Sequence, residues 1–124
     1  MQKLVKRPKN LNLFSIRFPV PAIVSILHRM SGAFLFILMP IILFTFCYSL
    51  NSEDQYDQLM TMMSGWKVNL IKILVVWGLI HHFMAGLRHI LLDMQIGNDI
   101  IIATLSSKSV LLISLLLTLL FFVF

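Results

Sequence analysis

Three long apolar stretches, separated by short polar segments, set out the organisation of this chain. The first runs from about Pro21 to Leu50, the second from about Trp66 to Leu92, and the third from about Leu105 to Phe124. At 1.5 Å per residue a helix over the first stretch is ~45 Å long, more than the ~30 Å hydrocarbon core of a bilayer. Its first turns therefore lie among headgroups, or the helix tilts. Pro19 and Pro21 suit a helix entry, and Pro40 inside the stretch is expected to kink it, which membranes tolerate. The connection Asn51–Gly65 carries Glu53, Asp54 and Asp57 and no base. The second stretch has Lys67 and Lys72 at its start and Arg88 and Asp93 at its end, and a short turn follows around Gly97 and Asn98. The third is almost featureless Leu, Ile, Phe and Val, with Lys108 near its start able to snorkel. These patterns predict an all-α integral membrane protein of three transmembrane helices, forming a single domain over residues 1–124.

Composition sharpens this picture. Of the 124 residues, 59% are apolar and only 12% are charged, against about a quarter charged in an ordinary soluble domain. The net charge of +5 is concentrated at one end. Lys3, Lys6, Arg7, Lys9 and Arg17 all precede the first span, with no acid among them. Residues 1–20 read as a basic cytoplasmic tail that orients the protein by the positive-inside rule beside anionic headgroups. The N-terminus and second loop then face the cytoplasm, and the first loop and C-terminus face outward. Lys67 and Lys72 sit on the outer side and count slightly against that orientation. The charge distribution excludes a nucleic-acid partner. Cys47, the single cysteine, cannot form an internal disulfide. The first apolar run is too long for the h-region of a signal peptide, and no small-x-small cleavage site ends it.

Ionisable groups inside the spans carry the chemistry, since each costs ~2.5–3.5 kcal/mol at mid-membrane on insertion scales. Two clusters occur. In Ser25-Ile26-Leu27-His28-Arg29-Met30-Ser31-Gly32, Ser25 and Arg29 share a helix face and His28 lies close by. A hydroxyl, an imidazole and a guanidinium near the interface can hydrogen-bond a carbonyl oxygen or clamp a carboxylate. In the second cluster, His82, Gly86, His89 and Asp93 form one stripe, while His81, Ala85 and Arg88 form another beside it. His82 sits near mid-membrane, with Arg88, His89 and Asp93 toward the cytoplasmic end. Gly86, one turn from His82, opens a shelf where a flat group can approach the backbone. Neutral imidazole is a common haem-iron ligand, but adjacent histidines diverge by 100° and cannot both face one iron. Packing across helices is the plainer reading for His81, and headgroup contact for Arg88 and His89. No CxxCH is present, so a haem would be held non-covalently. There is no glycine-rich phosphate loop, no HExxH and no Ser/His/Asp arrangement.

Arg7-Pro8, Asn10-Leu11 and Ile16-Arg17-Phe18-Pro19, followed by Ser25 to Gly32, resemble the N-terminal signature of the cytochrome b anchor subunits of succinate dehydrogenase. The run His82, Gly86, Arg88, His89, Asp93 is similar to that family's second signature, His-x3-Gly-x-Arg-His-x3-Asp. The resemblance covers roughly residues 7–93, and the third span adds hydropathy alone. It implies half of a heterodimeric helix bundle in a bacterial inner membrane. A second small membrane-anchor subunit would complete the bundle, with an iron–sulfur subunit and a flavoprotein subunit docked on the cytoplasmic face. Electrons from succinate would pass through FAD and iron–sulfur clusters to ubiquinone. His82 falls on the axial ligand of haem b, Ser25 and Arg29 fall on quinone-site positions, and His28 on a position near the haem propionates. Arg88 and His89 are implied to assist there. His81, beside the ligand position, departs from the pattern and leaves the axial choice open. Arg29 at the interface can stabilise negative charge on a reduced quinone, and Ser25 can hydrogen-bond a quinone carbonyl. The other readings are a haem-free or fumarate-reducing anchor, and a small transport or structural membrane protein. A transporter would more commonly show pseudo-symmetric repeats or broken helices, and neither is present.

Overall fold

A computed structural model describes residues 16–124. The basic residues Lys3, Lys6, Arg7 and Lys9, and the signature positions Arg7 to Leu11, lie outside the described residues. Four helices follow in order: α1 (Val20–Ser49), α2 (Glu53–Met63), α3 (Trp66–Asp93) and α4 (Ile100–Val123). Helices α1, α3 and α4 are each long and apolar enough to cross a membrane. The protein is a multi-pass, all-helical membrane protein. Helix α3 packs against both α1 and α4, which touch each other less extensively.

Helix α1 begins directly after Pro19, with proline in its first turn, where a missing N–H leaves no bond unmade. It continues unbroken through Pro40. Helix α2 was not foreseen, because the segment reads as a polar connection. Ser52 starts it by accepting a hydrogen bond from the Gln55 backbone N–H at 3.2 Å, and Glu53 and Asp54 occupy its first turn, where acids complement the helix dipole. Two contacts tie it down. The Tyr48 hydroxyl donates to Gln58 Oε1 at 3.2 Å, and Lys72 Nζ donates to the Met63 carbonyl at 2.7 Å. The lysine that counted against the orientation thus caps the end of α2 from within α3.

The α3–α4 turn closes as a Schellman motif. The Ile96 N–H bonds the Leu91 carbonyl at 2.9 Å, and the Gln95 N–H bonds that of Leu92 at 3.0 Å. Gln95 takes the left-handed conformation, φ 62°, that glycine usually fills, and Gly97 follows at φ 78°. Helix α4 then starts at Ile100, earlier than the apolar run from Leu105 indicated.

The interior is more polar than the surface. Among the described residues the buried side chains are Val24, Ala85 and Val110 on the apolar side, but Ser31, His81, Arg88, Ser107, Ser114 and Thr118 on the polar side. Large apolar residues such as Phe36, Phe44, Phe83 and Phe121 are exposed. In water this would be an aggregation surface; in lipid it is the solvated face. Helix α4, read as featureless, carries a buried stripe of Ser107, Val110, Ser114 and Thr118 against its neighbours. Small and hydroxyl residues let membrane helices approach closely. Their hydroxyls are satisfied along the helix: Ser107 donates to the Ala103 carbonyl at 2.7 Å, Ser114 to Leu111 at 3.0 Å, and Thr118 to Ser114 at 2.7 Å.

His81 lies fully buried in this α3–α4 contact. Its ring stacks on Trp77 at 5.1 Å between centroids, and its Nδ1 is 3.4 Å from Ser114 Oγ. Its Nε2 has no hydrogen-bond partner among the described residues. Replacing His81 with Ala is expected to open a void and cost about 2–5 kcal/mol. His81→Phe keeps the stack and removes the unpaired nitrogen, so its cost should stay under about 1.5 kcal/mol. Thermal unfolding of detergent-solubilised protein separates the two variants. Equal losses would mean that the Ser114 contact, and not ring packing, holds the site together.

Candidate functional site

The His82 stripe of α3 faces α1. There His82, Gly86 and His89 meet His28, Ser31 and Gly32, one turn apart on α1. The meeting is reciprocal. A Cβ built on Gly32 would lie 2.8 Å from His82 Cε1, and one on Gly86 would lie 3.3 Å from His28 Nε2. Each helix therefore supplies an imidazole and a glycine, and each imidazole lies over the glycine of the other helix. The shelf read at Gly86 is real, and the group on it is the His28 ring.

The two rings stack, with centroids 4.4 Å apart and planes inclined by 18°. His89 extends the array, its ring centroid 5.1 Å from that of His28. His82 is fixed at one edge: its Nδ1 lies 3.1 Å from the His28 carbonyl oxygen and 3.3 Å from Ser31 Oγ. No hydrogen bond among the described residues engages its Nε2. The ring is half-buried and borders a groove of about 250 Å³ lined by His82, Phe83, Gly86, Leu87 and Ile90. Further along the same α1–α3 seam, Ser31, Phe34, Trp77 and Gly78 help to line a second, apolar groove of about 220 Å³.

The adjacent histidines thus part company. His82 reaches α1 and the groove, whereas His81 is sealed inside the α3–α4 contact. Arg88, grouped by sequence with His89, is also turned the other way. It is buried, and its Nε donates to Ser106 Oγ at 3.0 Å while Nη2 donates to the Ala103 carbonyl at 3.1 Å. Its charge is spent on the first turn of α4. The 100° step between neighbours on a helix makes both separations unavoidable.

Ser25 and Arg29 stand one turn apart on α1, Ser25 half-buried and Arg29 exposed. Arg29 follows His28 at the next helical step, and neither Ser25 nor Arg29 hydrogen-bonds the histidine array. Ser31 and Gly32 belong to the same sequence cluster, but its spacing gave neither a partner on α3. Their signal is small size close to a histidine in a membrane helix, the composition of a close helix contact. Among the described residues no three His, Cys, Asp or Glu side chains gather to hold a bare metal ion.

Residues 3–121 match the succinate dehydrogenase/fumarate reductase transmembrane subunit family. Over 111 residues the chain is 31% identical to the succinate dehydrogenase cytochrome b556 subunit of Coxiella burnetii, covering 88% of each chain. It is 31% identical over 118 residues to the subunit so named in Rickettsia bellii, covering 95% of this chain and 92% of the relative. With the Paracoccus denitrificans subunit of that name it shares 30% over 122 residues, covering 95% and 94%.

Arg88→Met removes both bonds to α4, while the Ala103 carbonyl keeps those from the Ser106 and Ser107 hydroxyls. A loss of about 1–3 kcal/mol is expected, with faster proteolytic nicking of the turn at residues 94–99. A variant as stable and protease-resistant as the parent would show that the guanidinium does not hold α4.

Proposed function

The chain belongs to the succinate dehydrogenase/fumarate reductase transmembrane subunit family, the membrane part of an oxidoreductase complex, and from that premise we propose that it is a haem b-binding anchor which contributes to a ubiquinone-reduction site. The relatives' name, cytochrome b556, is that of a haem protein. One observation carries the reading here: His82 presents an Nε2 with no hydrogen-bond partner among the described residues beside an apolar groove, while its Nδ1 is tied to α1. Histidine with its second nitrogen hydrogen-bonded is the usual form of a metal-ligating imidazole. His81, buried within the chain's own core, is not available to a group shared with a partner. This favours His82 as the axial residue.

Haem b fits the donor set: one imidazole from this chain, one from a second membrane subunit, and apolar walls. When bound, the haem supplies one-electron transfer chemistry. His28 and His89 lie next to His82 and are the groups of this chain suited to meet its propionates, whereas Arg88 acts through the placement of α4. Ser25 and Arg29 serve the quinone. The Ser25 hydroxyl donates to a quinone carbonyl oxygen, and the Arg29 guanidinium stabilises the negative charge that develops as electrons arrive. Both belong to the cytoplasmic side if the basic tail sets orientation in the bacterial inner membrane. There an iron–sulfur subunit can deliver electrons taken from succinate by a flavoprotein subunit. The whole chain, residues 1–124, then forms one transmembrane unit preceded by its basic tail.

Two variants of the assembled complex test this. His82→Ala should remove or shift the b-type band in a reduced-minus-oxidised spectrum, and an unchanged band would sink the ligand assignment. Arg29→Ala should lower quinone reduction about 100-fold or more while sparing succinate oxidation with an artificial acceptor. Equal loss of both activities would remove Arg29 from the quinone site.

A further inference from the structure

The contacts on the far side of the His82 ring determine more than its position. Ser31 Oγ donates its hydrogen to the His28 carbonyl oxygen at 2.9 Å, so toward His82 Nδ1, 3.3 Å away, it can only accept. The His28 carbonyl oxygen, 3.1 Å from the same nitrogen, can never donate. Two acceptors facing one ring nitrogen require the proton to sit there. His82 is therefore held as the Nδ1–H tautomer, which leaves the ring's lone pair on Nε2. Gly32 makes the arrangement possible, because a Cβ at that position would come within 2.8 Å of His82 Cε1 and 3.2 Å of Nδ1. No real Cβ fits there without moving the ring.

We propose that Ser31 and Gly32 are positioning residues for His82: they preset its tautomer and ring plane so that Nε2 is ready to bind iron before the haem arrives. This rests on the reading of His82 as the axial ligand. Ser31 acts through the imidazole and touches neither haem nor quinone. Groups hydrogen-bonded to a metal-bound histidine raise its basicity, and their loss typically weakens metal binding 10–100-fold. A less basic ligand also favours ferrous over ferric iron, which moves the midpoint potential upward.

The assembled complex, purified with all its subunits, provides the test through haem content per flavin, haem midpoint potential and the low-spin ferric EPR signal. Ser31→Ala should keep the complex assembled but raise the potential, displace the EPR signal and lower haem retention by about 10-fold or more. Ser31→Thr, which retains the hydroxyl, should restore all three toward the parent values. Gly32→Ala should lose haem or show an altered EPR signal, because the ring must tilt. With His82→Ala as reference, the outcomes separate cleanly. If His82→Ala abolishes the haem signal while Ser31→Ala leaves potential and EPR unchanged, the positioning role is wrong and the ligand stands. If His82→Ala leaves the haem untouched, the ligand assignment itself falls.

Discussion

The interlock of two imidazoles over two glycines is the contact on which the site depends. It fixes how closely α1 and α3 approach, because the His82 ring leaves no room for a Cβ at Gly32 and the His28 ring would have to give way slightly to one at Gly86. It also sets the rotation of each helix about its axis. With His28 held over Gly86, α1 must turn Ser31 toward His82 Nδ1 and must carry Ser25 and Arg29 on the adjoining surface. A contact of four residues thereby brings together side chains more than fifty positions apart in sequence. The stacked pair and His89 form a row along the seam rather than a cage, an arrangement suited to a flat group held by one imidazole.

The rest of the bundle follows from the solvent. Lipid offers no hydrogen bonds, so polar side chains must be satisfied within the protein or reach an interface. The buried serines and threonine of α4 turn back to carbonyls of their own helix, and Arg88 donates to Ser106 Oγ and the Ala103 carbonyl near its start. Individual hydrogen bonds between membrane helices contribute only ~0.6 kcal/mol on average, so what holds α3 to α4 is close packing of small residues. The apolar side chains that would form the core of a soluble protein face outward instead. Hydrophobic surface here secures the protein in the bilayer and leaves the inside free for chemistry.

Adjacent histidines with opposite duties illustrate the economy of a helix. His81 fills the α3–α4 seam beside Trp77, and one residue later His82 enters the α1–α3 seam. Both seams leave an imidazole Nε2 without a hydrogen bond among the described residues, but that of His81 is sealed in the interior, whereas His82 borders a groove.

Hydropathy by itself determined that this is an all-helical, three-span membrane protein, because burial in lipid depends on local composition over about 20 residues and on little else. The stripe of His82, Gly86 and His89 was legible for a similar reason, since helical periodicity is fixed by backbone geometry. Tertiary structure decided the rest. Assigning His81 and His82 to different seams required knowing which neighbour lies on each side of α3. Arg88 shares a helical turn with His89, yet the placement of α4 claimed it. The partners of His82, Ser31 and the His28 carbonyl, belong to another helix and leave no trace in local spacing. Helix α2 is short and polar, below the length at which a helix is stable alone, and it depends on Tyr48 and Lys72 from its neighbours. Local sequence determines which segments are helices and which faces they own; only packing decides what each face meets.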